Sequence, residues 1–244
     1  MTAALAQPGR HAGGMRRVLR AASTLLIVAG VLVLGDVGLT VVWQEPVTAI
    51  YTAIVQDQLA DELVEVQKPG LSTAQRGALG TLPGDGPRMA FLARTLQRSS
   101  RNGDPLARIT IKRIDLDYVV VQGTDSGSLR KGPGHYTQTP LPGLSGTVAI
   151  AGHRTTYGAP FAKIDELRPG DQITLAMPYG KFTYTVWKTK IVSPSALWVI
   201  RSQAVNLLVL TACHPRYSAA QRIVVFARLA QSTPLGEAVA AEPT

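Results

Sequence analysis

The chain has 244 residues, 45% of them hydrophobic, and its 25 lysines and arginines exceed its 16 aspartates and glutamates, so the formal net charge is +9. This length accommodates one sizeable domain with a membrane segment, or at most two small domains. The single cysteine, Cys213, excludes a disulfide-stabilised scaffold. The basic excess favours anionic partners, which include nucleic acid, lipid head groups and cell-wall polymers.

The N-terminal segment predicts a membrane anchor. Residues 1–20 form a basic tail with four arginines and no acidic residue, and residues 21–43 are almost wholly apolar. These 23 residues would rise about 34 Å as a helix, enough to cross the hydrocarbon core of a bilayer. The arginines place the N-terminus in the cytoplasm. A cleaved signal peptide is the competing interpretation, but the run is long for one and no clear Ala-x-Ala site follows it.

Such an anchor would place the rest of the chain outside the cytoplasm, so we predict a single-pass membrane protein without a nucleic-acid partner. Residues 44–66 have apolar residues at helical spacing opposite a charged face, which predicts a juxtamembrane stalk helix that acts as a solvated spacer. Residues 67–104 are rich in Gly, Pro and Ser, which predicts a linker with one short amphipathic helix at Met89–Gln97.

Residues 105–230 predict a mainly β domain. Short apolar runs rich in β-branched and aromatic residues alternate with polar turns. The clearest runs are Tyr118–Val121, Thr147–Ala151, Gln172–Ala176, Lys181–Val192, Val205–Leu210 and Ile223–Leu229. With the alternating residues near Ile109 they amount to about eight strands with little helix, which is typical of a closed or nearly closed eight-stranded β-barrel. Residues 231–244 predict a flexible C-terminal tail.

Three reactive side chains stand at ends of the predicted strands. Cys213 and His153 each closely follow an apolar run, and Arg222 precedes one. Brought to one rim of a sheet, they would supply a thiol nucleophile, a general acid and an anion stabiliser. Taken singly, each residue also has an ordinary structural interpretation: a buried thiol, a structural histidine and a surface ion pair. We expect no metal site, because Cys213 and His214 lack the further ligands of a zinc site.

The residues around these three positions resemble the sortase family. The resemblance lies in Leu-Thr-Ala-Cys at 210–213, Ala-Gly-His at 151–153, Gly-Pro-Gly-His-Tyr at 132–136, and an arginine nine residues after the cysteine. It covers roughly residues 105–230 and is greatest to the class E sortases of actinobacteria. The membrane anchor and the external β domain also match the sortase plan.

The resemblance implies a membrane-anchored cysteine transpeptidase that uses no cofactor. Its partners would be surface proteins with a C-terminal sorting signal, Leu-Pro-x-Thr-Gly or Leu-Ala-x-Thr-Gly, cleaved between Thr and Gly. Cys213 would form a thioacyl intermediate, His153 would transfer protons, and Arg222 would hold the substrate and stabilise the oxyanion. The acceptor would be an amine of a peptidoglycan precursor, or a lysine in a pilus-building member. Tyr157 matches a tyrosine linked in class E to alanine at the second signal position.

Two positions depart from the family pattern Thr-Leu-x-Thr-Cys, because Val209 and Ala212 replace both threonines. We therefore expect Ala212 and Thr211 to influence substrate binding, although strand alternation points adjacent residues to opposite faces. Two further interpretations stay open: a non-catalytic or weakly active peptide-binding module, and a simple cysteine peptidase. We expect His135 to be a turn residue or a groove-wall contact, and His214 to serve loop packing.

Overall fold

The structure is a computed structural model that describes residues 12–43, 46–66, 71–203 and 205–235. Contacts divide the chain into two compact units, Met1–Pro46 and Val47–Thr244, which are described separately below. Residues 12–20 of the predicted basic tail belong to a helix, and residues 1–11 lie outside the described residues. Residues 236–244 of the predicted C-terminal tail also lie outside the described residues.

The first unit contains one long helix, α1, over Ala12–Trp43. Its segment Gly14–Gly38 is long and apolar enough to cross a membrane, judged by length and composition. Large apolar side chains along it are exposed, with Leu26 and Leu34 each at 72%. A helix with apolar side chains exposed all round fits a lipid environment, where no hydrophobic face needs a protein partner.

The second unit is built on a closed eight-stranded barrel, which confirms the predicted fold class. The strands follow the spatial order β1-β2-β3-β4-β7-β8-β6-β5. They are β1 Pro105–Ile111, β2 Leu116–Gln122, β3 Gly134–His135, β4 Thr147–Ala151, β5 Gln172–Met177, β6 Gly180–Val192, β7 Leu207–His214 and β8 Gln221–Pro234. Closure pairs the strands around the barrel and so protects edges that would otherwise be open to aggregation.

The end of β8 corrects the predicted C-terminal tail. Residues 231–234 pair with residues 180–183 of β6, so this part of the expected tail is strand. The pairing ties the chain back to the turn between β5 and β6, where Leu235 N–H donates to the carbonyl oxygen of Tyr179 at 3.2 Å.

Strand alternation separates the inner and outer faces of the barrel near β7. Leu208, Leu210 and Ala212 belong to the main core cluster, with relative exposures of 3% or less. Val209, between them, belongs to a second apolar cluster that also contains Val199 and Phe226. Because successive strand residues face opposite sides, Thr211 and Cys213 share the outer face with Val209.

Within the described residues, four further α-helices accompany the barrel: α2 Pro46–Val66, α3 Thr73–Thr81, α4 Asp85–Ser99 and α5 Ser126–Lys131. Helix α3 lies within residues 67–104, where a linker was expected, so the expectation is wrong for this part of the chain. Ser72 and Gln75 form a reciprocal capping box at its start, which satisfies two backbone N–H groups of the first turn. The expected short helix at Met89–Gln97 is part of the longer α4.

Helix α2 is packed against the barrel, so the expectation of a solvated spacer is wrong. Leu59 and Leu63 are 3% and 4% exposed and form a cluster with Val119 and Val121 of β2. The Gln56 side chain accepts a hydrogen bond from Val119 N–H at 2.6 Å and donates one to the Val119 carbonyl at 3.1 Å. An apolar stripe and a polar side chain together attach this helix to one strand.

Candidate active site

Strand pairing places Cys213 directly opposite Arg222. Strands β7 and β8 are antiparallel, and their register pairs Cys213 with Arg222 near the loop that joins them. Neighbouring strands lie about 4.8 Å apart, so the two residues are adjacent on the same rim of the barrel. The Cys213 residue is partly exposed, so it is not a plain core residue.

His153 reaches the same rim through a parallel strand pair. Strand β4 runs parallel to β7 with Ala151 opposite Thr211. The ladder continues past β4, because Gly152 N–H donates to the Thr211 carbonyl at 3.0 Å. Two residues beyond the last pair, His153 and Cys213 occupy equivalent positions on neighbouring chain segments. The predicted trio therefore lies at one edge, on three adjacent segments.

A cavity of about 50 Å³ lies on the outer face beside this rim. Thr211 and Arg222 line it from the sheet, and Tyr136 lines it from the segment after β3. Opposite them lies the β6–β7 connection, including Val199 in the 3₁₀ turn Leu197–Ile200. The Tyr136 hydroxyl and the Thr211 hydroxyl are 3.1 Å apart, within hydrogen-bond distance. This cavity, called the outer groove below, thus has an apolar wall, hydroxyl groups and a guanidinium.

Arg222 is held at the rim by its own loop. Its Nη1 donates to the carbonyl oxygens of Ala219 and Gln221, each at 2.9 Å. Arginine has five N–H donors, of which Nη1 supplies only two. The loop contacts therefore orient the guanidinium and do not exhaust its capacity to bind an anionic or carbonyl oxygen.

The His153 ring is partly enclosed by the loop that follows it. The ring centroids of His153 and Tyr157 are 5.2 Å apart, with a tilted geometry. Burial lowers the pKa of His153, because desolvation disfavours the imidazolium. Tyr157 itself has a positive φ of 51°, and its N–H donates to the Thr48 hydroxyl of α2 at 3.2 Å. Helix α2 thus touches the loop that carries His153.

Val209 and Ala212, which replace the two threonines of the family pattern, lie on different faces of β7. Ala212 is 3% exposed inside the barrel, so the missing hydroxyl does not face the outer groove. Val209 packs in the outer cluster beneath the 3₁₀ turn residue Val199. Thr211 lines the groove, on the face that Cys213 shares. The placement of Ala212 removes it from the surface that a bound peptide would reach.

Arg154 is a site residue that the sequence interpretation missed. It directly follows His153, and its side chain is only 3% exposed. Nη1 lies 3.0 Å from His214 Nδ1, and Nη2 forms an ion pair with Asp165 at 2.6 Å. The adjacency to His153 was the available signal, but arginines are mostly exposed, so sequence alone does not distinguish a buried one.

The other two histidines have different surroundings. His135 lies in strand β3 and is 1% exposed, so the expectation of a turn residue is wrong. Its Nδ1 lies 2.8 Å from Gln122 Oε1, and its Nε2 lies 3.0 Å from the Thr139 hydroxyl. Burial lowers the pKa of His135 to about 4. His214 ends β7 and contacts Arg154.

Comparisons with known proteins agree with this geometry. The Sortase domain family matches residues 109–230. Sortase D of Bacillus subtilis is 39% identical over 108 residues, which are 44% of this chain and 53% of that protein. Sortase SrtE1 of Streptomyces coelicolor is 27% identical over 148 residues, which are 54% of this chain and 42% of the relative. The structure of sortase E from Streptomyces avermitilis is 32% identical with a TM-score of 0.51, over 57% of this chain and 99% of that one.

The chain belongs to the sortase family. Sortases are cysteine transpeptidases, and the family match covers most of the barrel, from within β1 to within β8. The expected likeness to class E sortases is confirmed by SrtE1 and by the Streptomyces avermitilis structure. The aligned region spans about half the length of sortase D and SrtE1.

Proposed function

We propose that this sortase cleaves a Leu-Ala/Pro-x-Thr-Gly sorting signal between Thr and Gly and transfers the acyl group to a cell-wall amine. Cys213 is the nucleophile, His153 the general acid and base, and Arg222 the residue that holds the substrate and stabilises the oxyanion. The observation that supports these roles is the register: β7 pairs with β8 at Cys213 and Arg222, and with β4 two residues before His153.

The chemistry follows from the three side chains. The Cys213 thiolate attacks the Thr carbonyl and forms a thioester, and His153 protonates the leaving glycine amine. The negative charge that develops on the carbonyl oxygen is stabilised by Arg222. An incoming amine, deprotonated by His153, then attacks the thioester and restores the thiolate. The acyl-enzyme keeps the carbonyl activated until an amine arrives.

The sorting signal of the substrate is proposed to bind in the outer groove. Thr211 and Tyr136 offer hydroxyl groups there, and Val199 offers an apolar wall. Tyr157 lies against His153, where it would contact the residue at the second signal position. Ala212 is not part of this proposal because it faces the barrel interior. Its placement also weakens the interpretation of a non-catalytic binding module, since the missing hydroxyl does not line the groove.

The localisation belongs to the same proposal. Helix α1 anchors the chain in the membrane by a single span, with the arginines near its N-terminal end, Arg16, Arg17 and Arg20, on the cytoplasmic side and the barrel outside. This orientation places Cys213 where exported proteins and peptidoglycan precursors meet. Tagging the two ends and digesting intact cells with protease tests it: a tag at the C-terminus should be lost and one at the N-terminus protected.

The activity is tested by ligation. The full chain in detergent is incubated with Leu-Ala-x-Thr-Gly or Leu-Pro-x-Thr-Gly peptide and with a peptidoglycan-type amine, and products are separated by mass. We expect a ligated product that is absent with Cys213→Ala. Hydrolysis that added amine does not divert would instead identify a cysteine peptidase, and product formation by Cys213→Ala would exclude the assigned nucleophile.

A further inference from the structure

A buried guanidinium lies behind the proposed catalytic edge and takes no part in the chemistry assigned above. Arg154 is 4% exposed, an unusual state for a side chain that is always charged. Removing a charge from water is strongly unfavourable unless partners compensate for it. Its carboxylate partner, Asp165, is 48% exposed and so could pair with an arginine at the surface. The inward position of Arg154 therefore needs another explanation.

The contacts of Arg154 connect the two segments that carry the proposed acid and nucleophile. Arg154 follows His153 in the loop after β4, and its Nη1 lies 3.0 Å from Nδ1 of His214, the residue after Cys213. The same nitrogen lies 3.5 Å from the Cys213 carbonyl oxygen, a longer and weaker contact. The ion pair with Asp165 holds the guanidinium from the side of the 3₁₀ turn Ile164–Glu166.

This contact also dictates the state of the His214 ring. A guanidinium has only donors, so His214 Nδ1 must accept the hydrogen bond. The neutral imidazole that fits this contact carries its proton on Nε2. A proton on Nδ1 would set two hydrogen-bond donors against each other. Arg154 therefore specifies one tautomer of the residue next to the nucleophile.

The hydrogen-bond donors of the Arg154 guanidinium are not all paired, as they would be in a purely structural group. Within the described part of the chain, Arg154 Nε has no hydrogen-bond partner although it is buried. An unsatisfied buried donor is destabilising. A purely structural role would be served better by an apolar side chain of similar size, since replacing buried ion pairs by apolar residues is often neutral or stabilising.

We infer that Arg154 is a positioning residue that fixes the separation and orientation of His153 and Cys213 through the residues beside them. This inference rests on the proposed function of those two residues. The planar fork of arginine reaches Asp165 and His214 at once, so it ties the loop after β4 to the end of β7. Lysine, a single point charge, cannot make both contacts with the same geometry.

The test compares Arg154→Met and Arg154→Lys with Arg108→Met in the full chain. Arg108 is a matched control, because its guanidinium pairs with Asp117 at 2.7 Å on the exposed surface of β1 and β2. For peptide cleavage in the presence of amine, we expect Arg154→Met to lower kcat about 10- to 100-fold, while KM changes less than about threefold. Arg154→Lys should fall between, and Arg108→Met should stay within about twofold of wild type.

Rates are normalised to folded protein by thermal unfolding, so that a purely structural effect is removed. If Arg154→Met does not fold, Arg154→Lys decides: a kcat at least about fivefold below wild type upholds positioning. A normalised kcat within about twofold of wild type in the folded variants overturns it.

Nitrogen NMR of the His214 ring separates this inference from the proposed function. We expect the Nε2-protonated tautomer to predominate in the wild type, and a mixture of the two neutral tautomers in Arg154→Met. If the wild type forms no ligated product but Arg154→Met still changes the tautomer of His214, the positioning role of Arg154 stands and the proposed function fails. An active wild type in which His214 keeps the same tautomer without Arg154 overturns the inference.

Discussion

His135 is a neutral side chain inside the barrel wall, and its burial makes the fold sensitive to acid. Burial lowers its pKa to about 4 from a usual value near 6.5. The unfolded chain therefore binds a proton between these values and the folded chain does not. The contribution of the neutral His135 ring to the free energy of unfolding is complete above pH 6.5 and is lost as the pH falls towards 4. The shift corresponds to roughly 3 kcal/mol at its full extent.

Replacing His135 by glutamine should remove this acid sensitivity. Glutamine offers a donor and an acceptor for Gln122 and Thr139 but does not titrate in this range. We expect the wild type to lose up to roughly 3 kcal/mol more of its free energy of unfolding than His135→Gln between pH 7 and pH 4. Urea unfolding followed by tryptophan fluorescence measures the difference. Parallel stability curves for the two proteins would contradict the assignment.

The ring of Tyr157 contributes to the burial that lowers the pKa of His153. The two ring centroids are 5.2 Å apart, and desolvation is the cause of the shift. Tyr157→Ala should expose the imidazole to water and raise the pKa of His153 towards its usual value. A proton NMR titration of the His153 ring measures this change. Tyr217→Ala, which removes an exposed aromatic ring from the loop between β7 and β8, is the control; an unchanged or lower pKa in Tyr157→Ala would refute the explanation.

At the scale of elements, α2 is joined to the barrel by a side chain that imitates a neighbouring strand. The Gln56 amide accepts from the Val119 N–H and donates to the Val119 carbonyl, as a paired peptide group would. It also donates to the Lys131 carbonyl at 2.7 Å. Gln56 therefore satisfies the outward backbone groups of β2 where β3 does not cover them.

Gln56→Ala should destabilise the second unit by about 1–3 kcal/mol, because partly buried backbone groups lose their partners. Gln58→Ala on the same helix is the matched control, since Gln58 is exposed. Thermal unfolding followed by circular dichroism compares the two variants. Equal melting temperatures would show that the hydrogen bonds of Gln56 do not stabilise the docked helix.

The elements that carry the trio were predictable, because β4, β7 and β8 are apolar runs of strand length. Strand β3 has only two residues, too few for a periodic signal, and the glycines around α3 concealed its capping box. The docking of α2 depends on Gln56, a polar residue that an amphipathic pattern assigns to solvent. The orientation of Ala212 needed the register, and the burial of Arg154 needed the tertiary structure.

At the scale of the whole molecule, the charge is unevenly distributed along the barrel sequence. Between Asp171 and Glu237 there is no acidic residue. The same stretch contains the basic residues Lys181, Lys188, Lys190, Arg201, Arg216, Arg222 and Arg228. Lys188 lies 3.9 Å from the ring centroid of Trp187, and Arg228 lies 4.4 Å from it, so some of these cations are held on aromatic faces. The β5–β8 half of the barrel therefore presents a positive field around the proposed groove.

This field should favour peptides with acidic residues flanking the signal. We expect kcat/KM for such a peptide to fall about three- to tenfold as salt rises from roughly 0.05 to 0.5 M, since ions screen the attraction. A peptide with neutral flanks is the control and should change less. Initial rates over a salt series measure both, and identical salt dependence for the two peptides would argue against steering by this surface.

The assignment of Cys213 as the acyl-carrying nucleophile is tested most directly by the intact mass of the chain after mixing with Leu-Ala-x-Thr-Gly or Leu-Pro-x-Thr-Gly peptide without an amine. We expect a mass increase equal to the acyl fragment that ends at Thr, which is the free peptide up to Thr less one water, located on Cys213 and discharged when amine is added. His153→Ala should slow its formation, and Cys213→Ala should abolish it. Cleavage of the signal without an adduct on Cys213, or continued cleavage by Cys213→Ala, would contradict the assignment of Cys213 as the nucleophile.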